Sequence, residues 1–225
     1  ILTLDDIIDA AATEAEEDFE KLAALPASDL KENWLLTALK RLPWLIVLLI
    51  ISIPLMMFSD VMVASLAGIT ILAFFQPLML SAPGNASTQT LAVSLKAIAS
   101  QGKMPKSEVR KEFIANFFTS IFLGVITFII SFIFILVTRM GIPENAATWS
   151  NVEVALLFAT IISTSLTIVI ALVSLLAIAL PHLFKKMKID PAIASGPFIT
   201  TVIDLASSLV YFGLAAVMLR GVGLI

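Results

Sequence analysis

Five stretches of this chain stay apolar for longer than a soluble helix needs, and that restricts it to one class of fold. They run from about Leu42 to Phe58, Val61 to Ser81 and onward, Phe113 to Thr138, Val154 to Leu183, and Pro191 to Leu219. A hydrocarbon core of about 30 Å takes roughly 20 helical residues, so each stretch can cross it, the first near the minimum. Composition agrees: with 59% apolar and 14% charged residues, a soluble globule of 225 residues could not cover so much apolar surface. The expected fold is an all-α, multi-pass membrane protein with five transmembrane helices, seated in the bilayer of a cell membrane.

Charge gives the orientation. Lys21, Lys31, Lys40 and Arg41 precede the first apolar stretch, Lys96, Lys103, Lys106, Arg110 and Lys111 lie between the second and third, and Lys185, Lys186 and Lys188 between the fourth and fifth. Only Arg139 and Arg220 fall on the other side. By the positive-inside rule the N-terminus is cytoplasmic and the C-terminus outside. The acidic residues are also uneven, with 10 of 17 in the first 32 positions, and there they predict an amphipathic cytosolic helix. Thr3 is its expected N-cap, Asp5 and Asp6 fill the first turn, and Leu4, Ile8, Ala11, Ala15, Phe19 and Leu22 form one apolar stripe. Its acidic face reads either as a solvated surface or as a collector of divalent cations. Three regions are expected: 1–27, the acidic connecting helix; 28–41, an interfacial helix that turns at Pro43; and 42–225, the membrane domain. The opening Ile1-Leu2-Thr3-Leu4 has no initiating Met or signal-peptide pattern, so the expectation is a fragment or processed product with more chain upstream.

Several chemistries are excluded by residue type. There is no cysteine, hence no disulfide, thiolate metal site or cysteine nucleophile, and one histidine, His182, is too few for an imidazole zinc site. An intramembrane aspartyl protease needs two neighbouring aspartates, and the apolar stretches offer one. The chain is not expected to be an enzyme or to bind nucleic acid.

That one acid is Asp204. A carboxylate near mid-bilayer costs about 3 kcal/mol even on lenient insertion scales, so it needs a partner or a wet cavity. Pro197, Thr200, Thr201, Asp204, Ser207, Ser208 and Tyr211 recur on or beside one helical face, and Pro197 is expected to free a backbone carbonyl. Two readings are open: a cation path, or a hydrogen-bonded carboxyl clamping two helices. The second stretch holds a matching irregularity, Ser81-Ala82-Pro83-Gly84-Asn85-Ala86-Ser87-Thr88-Gln89-Thr90, where Pro-Gly is expected to break or loosen the helix beside side-chain oxygens and amides. It reads equally as the cytoplasmic end of that helix.

The stretches Pro83 to Ala92 and Asp190 to Pro197, with Thr200, Thr201 and Asp204, resemble the signature segments of the MgtE magnesium transporters and their eukaryotic solute-carrier relatives. Arg41-Leu42-Pro43-Trp44-Leu45 is similar too, and Leu2 to Asp9 resembles the exit from a CBS domain into that family's plug helix. The family's Gly-Gly-Asn is Pro83-Gly84-Asn85 here. The resemblance implies a homodimer with a magnesium path along the dimer axis, Mg2+ being both cargo and a regulatory ion, and an upstream CBS-type domain. It implies Asp204 as the ion-binding residue, helped by Thr200, Gly84 and Asn85 through nearby backbone, with Asp190 at the cytoplasmic mouth. Independently of the resemblance, Mg2+ takes oxygen ligands, few carboxylates and retained water, which suits a lone acid, whereas Ca2+ asks for more carboxylates. Mn2+, Co2+ and Ni2+ fit the same donors. The alternatives are a cation-coupled exchanger of another divalent metal and a non-transporting membrane cation sensor.

Overall fold

A computed structural model describes residues 3–22, 33–66, 69–101, 103–139, 149–187 and 197–224. Its regular structure there is helical: α1 (Leu4–Leu22), α2 (Trp34–Ser65), α3 (Thr70–Gln101), α4 (Lys106–Thr138), α5 (Asn151–Lys186) and α6 (Pro197–Gly221).

Helix starts follow side-chain chemistry. Thr3 caps α1 as expected: its hydroxyl lies 3.3 Å from the Asp6 amide it accepts, while Asp6 Oδ2 accepts the Thr3 amide at 2.8 Å. This reciprocal pair is a capping box with Asp in the Glu position. Side chains from Thr3 to Glu14 are all exposed, so this part of α1 presents Leu4, Ile8 and Ala11 of the stripe and Asp5, Asp6, Asp9 and Glu14 outward. Asn33 caps α2, its Oδ1 accepting the Leu35 amide at 3.2 Å, and Ser150 with Glu153 forms a second capping box at the start of α5.

Three expected breaks are absent. α2 runs unbroken through Pro43 and Pro54 to Ser65, which joins the expected interfacial helix and first span into one rod. Asp60, expected in a turn, is therefore an exposed residue of α2, and Asp204 is not the only acid in an apolar helix. The helix ends at Ser65 and the next begins at Thr70 rather than near Val61. α3 likewise continues through Pro77 and Pro83-Gly84. At the prolines the physical reason is shared: a proline removes one amide from the ladder, but neighbouring hydrogen bonds and packed helices hold the rest, and apolar surroundings punish any wider loss of backbone pairing.

The long helices form an antiparallel bundle with α5 at its centre, packed on α3, α4 and α6, while α6 also meets α3 and α2. Three apolar clusters stack along it. At one end Ile71, Leu72, Ile135, Val154, Phe158, Phe212 and Leu219 join the starts of α3 and α5 to the ends of α4 and α6. Leu91, Val169, Val173, Ala177, Ile199 and Ile203 fill the middle, and Ala97, Met104 and Ile178 close the other end. At the α4–α5 crossing Gly124 lies against Thr167, where a Cβ would overlap Thr167 Oγ1.

α2, α4, α5 and α6 each carry a segment long and apolar enough to cross a membrane. At 32 residues, about 48 Å, α3 has the length as well. Its apolar run is interrupted by Gln76, Ser81, Asn85 and the Ser87 to Thr90 group, which is why the expected count of five is not matched by five equally apolar helices.

Candidate functional site

The polar residues of α6 divide by height along the helix. Near its start Thr200 is exposed and Thr201 and Asp204 are half-buried. One and two turns later Ser207, Ser208 and Tyr211 are buried, at 0%, 1% and 0% exposure. Tyr211 donates from its hydroxyl to the Leu72 carbonyl at 2.9 Å, tying the far half of α6 to the start of α3. The expected single polar wall is thus two surfaces, an open one around Asp204 and a closed one inside the bundle. Pro197 is the first residue of α6, a position whose amide has no helical partner to lose, so it frees no carbonyl in the described helix. Asp190 lies outside the described residues.

α3 contributes the neighbouring open surface. Ser81, Asn85, Thr88 and Gln89 are exposed and Gly84 half-buried, with open space where a Gly84 Cβ would stand. Counting about 1.5 Å per residue from the Tyr211–Leu72 contact, Asp204 is about level with Met79 and Thr200 with Pro83. The α3 and α6 candidates thus lie at similar heights along the bundle.

The backbone oxygens in this region are not equivalent. Gly84 O already accepts the Ser87 hydroxyl at 2.8 Å and the Thr88 hydroxyl at 2.7 Å. Pro83 has no amide to offer the residue four positions back, so the carbonyl it releases is that of Met79. Further along, Thr90 donates to Ala86 O and accepts from Asn116 Nδ2 at 2.8 Å, which anchors the end of the polar stretch to α4.

Three polar links escaped the sequence reading. They are Asn116 to Thr90, Gln76 Nε2 to Ser59 Oγ at 2.9 Å, and His182, whose Nε2 accepts the Met104 amide at 3.3 Å while Nδ1 lies 2.9 Å from Ile178 O. A neutral ring with the proton on Nδ1 satisfies both histidine contacts. The signal available was only that each is a polar residue in an apolar run. Among the described residues no group of three His, Cys, Asp or Glu is arranged to hold a metal ion. Asp204 is thus not part of any such group among the described residues.

Comparison with known proteins bears on this arrangement. The profile of the MgtE family, described as divalent cation transporter, matches residues 76–214, which spans the polar stretch of α3 and α6 as far as Leu214. The chain is 34% identical to the magnesium transporter MgtE of Bacillus subtilis, over 98% of this chain and 46% of that protein. It is 32% identical to the magnesium transporter MgtE of Enterococcus faecalis, over 98% and 45%, and 26% identical to that of Thermus thermophilus, over 99% and 46%. The chain spans about half the length of the curated relatives it matches. With its long apolar helices, this is a multi-pass membrane protein, and it belongs to the MgtE family of divalent cation transporters.

Proposed function

We propose that this chain is the ion-conducting part of a divalent cation transporter, with Mg2+ first among its substrates, and that two copies enclose the ion path. The observation that carries this is that α3 and α6 both leave polar residues open in a bundle of long apolar helices: Asn85, Thr88, Gln89 and Thr200 are exposed and Asp204 half-buried. Amides and a carboxylate turned toward hydrocarbon are costly, so a bilayer-spanning bundle keeps them only against protein or water. A second copy across a two-fold axis supplies both, because the same surface faces itself and the two Asp204 carboxylates flank one wet conduit. One carboxylate per copy suits an ion that keeps most of its water and takes octahedral oxygen coordination.

In this reading the backbone oxygen that assists Asp204 is Met79 O, released by Pro83, rather than Gly84 O, which two hydroxyls already occupy. Thr200 and Asn85 line the same conduit. All five helices from α2 to α6 cross the bilayer, α3 included because its polar face is turned to the conduit. The N-terminus and α1 are cytoplasmic, Trp34 to Arg41 rides at the headgroup level as the first turns of α2, and α1 links the membrane domain to an upstream regulatory domain.

The test is Mg2+ uptake into vesicles holding the full-length protein. Asp204→Ala and Asp204→Asn are expected to lower uptake by at least about tenfold, the effect of losing about 1.4 kcal/mol of ion stabilisation. Undiminished uptake removes the reading, and uptake that requires an opposing Na+ or H+ gradient replaces the channel with a coupled exchanger.

A further inference from the structure

We infer that the outer face of α4 and α5 holds one phospholipid with an anionic headgroup, its phosphate at Lys106 and Arg110 and an acyl chain running down α4 into a groove beside Gly124. This site is independent of the ion path proposed above.

Lys106, Arg110, Phe113, Phe117, Ile121 and Val125 follow one another at spacings of four and three, so they share one face of α4, and all of them are exposed. The charges at this end of the helix are sorted by face. Glu108 and Glu112 lie off that face, and Glu108 takes Lys111 at 3.6 Å, whereas Lys106 and Arg110 have no acid partner among the described residues. Lys103 adds a third exposed charge at the same end. It precedes Met104, which is buried with Ile178 and whose amide is accepted by His182 of α5 at 3.3 Å, so the start of α4 is fixed on the end of α5. Like charges gathered at the foot of a span repel one another unless an anion lies among them, and a bilayer supplies that anion as an acidic headgroup.

Past the charges the face is apolar. The rings of Phe113 and Phe117 lie 6.5 Å apart and 23° from parallel. Beyond them a groove of about 350 Å3 opens between the helices, lined by Ile121, Gly124 and Val125 on one side and Thr164, Thr167 and Ile168 on the other. Its hydroxyls are already spent: Ser163 and Thr164 donate to Thr160 O at 3.2 and 2.6 Å, and Thr167 to Ser163 O at 2.9 Å. The walls therefore offer few polar partners to water and mostly carbon to a hydrocarbon chain. Length fits the same occupant. Fourteen residues separate Arg110 from Gly124, about 21 Å of helix, and half of a bilayer about 40–45 Å thick is about 20–22 Å. A phosphate at Arg110 thus brings the end of its acyl chain level with the groove. Both walls belong to helices long and apolar enough to cross a membrane, so the open side of the groove meets lipid.

The test titrates the full-length protein in detergent with phosphatidylglycerol or with phosphatidylcholine of the same acyl chains and counts retained lipid by native mass spectrometry. Phosphatidylglycerol is expected to be held at least about tenfold more tightly, as two basic side chains at an anionic headgroup allow. Lys106→Gln/Arg110→Gln is expected to erase that preference, and Lys111→Gln, on another face and already paired, to leave it intact. Val125→Trp, which fills the groove, is expected to weaken retention of both lipids, and Ile168→Trp does the same from the α5 wall if the first variant folds poorly. Equal retention of the two lipids overturns the inference, and so does an equal loss from Lys111→Gln, which would mean general charge attraction. Unchanged retention with the groove filled also overturns it, and a change in oligomeric mass alongside would assign the groove to a second copy instead. Because Mg2+ uptake is not read, each of these results is separate from the outcome of the transport test.

Discussion

The close crossing of α4 and α5 at Gly124 permits a test with a magnitude that follows from geometry. A Cβ on Gly124 would overlap Thr167 Oγ1 and stand 3.4 Å from the Ser163 carbonyl. Thr167 cannot simply swing away without loss, because its hydroxyl donates to Ser163 O at 2.9 Å and also lies 3.3 Å from Ser120 O. Overpacking of this kind costs about 1–3 kcal/mol, against which Ala for Gly in a helix returns up to about 1 kcal/mol. Gly124→Ala is therefore expected to destabilise by about 1–2 kcal/mol, and Gly124→Val by more. Thr167→Ala removes the obstructing oxygen, so the double variant Gly124→Ala/Thr167→Ala should be more stable than the two single effects predict, with a coupling of about 1 kcal/mol or more. Thermal unfolding of the purified protein in detergent measures all four corners. Strict additivity would refute the reasoning, because it would mean the helices part rather than Thr167 yielding, and the residue opposite Gly124 would be irrelevant.

Two further outcomes are expected. Pro83→Ala gives Met79 O an amide partner again, so it should raise the thermal midpoint and at the same time lower Mg2+ uptake by about tenfold or more, since a hydrogen-bond-like contact to a charged group is worth about 1.5–3 kcal/mol; a variant both stabler and fully active would return Gly84 or Asn85 to the ion's side. At the start of α1 the Thr3 hydroxyl, and then the Thr3 amide, hold the Asp6 carboxyl below its ordinary value. A carboxylate lowered in the folded state contributes stability above its unfolded pKa of about 4 and loses it as pH falls through the lower folded value. Amide hydrogen exchange in the first turn of α1 should accordingly quicken below about pH 4, and Thr3→Ala should move that onset upward; a first turn indifferent to acid would contradict the cap.

How much of this was legible beforehand depends on the range of the interaction. Thr3 capping α1 could be read directly, because the partners sit three residues apart. The apolar runs could be read as well, since hydropathy is a property of the segment alone. Whether a proline ends a helix could not. Pro43, Pro54, Pro77 and Pro83 signal breaks in water, but here the cost of exposing further backbone to hydrocarbon outweighs the loss of a single amide, and each helix continues. Periodicity grouped Thr200, Asp204, Ser208 and Tyr211 on one face, yet only the tertiary contact from Tyr211 to Leu72, distant in sequence, shows that the face closes partway along. Gln76 with Ser59 and Asn116 with Thr90 were missed for the same reason, as both partners lie on different helices.

If the function proposed above holds, the distribution of hydrogen bonds along α3 and α6 accounts for one acid per copy serving where soluble proteins use several. Ser87 and Thr88 crowd Gly84 O, Thr90 takes Ala86 O, and Ser94 takes Thr90 O, so these hydroxyls in the second half of α3 are satisfied by their own helix. Those side chains shield backbone without adding charge that would compete with an ion's water. Less committed are the carbonyl that loses its amide donor to Pro83, the exposed amides of Asn85 and Gln89, and the buried hydroxyls of Ser207 and Ser208. A low-dielectric wall magnifies each remaining dipole, so in the proposed path one carboxylate from each copy and a few such groups suffice to hold a doubly charged ion, and a further carboxylate on each copy would bind it too tightly to let it leave. Under that balance the saturated hydroxyls matter as much as the open ones, because they keep the number of free oxygens near Asp204 small.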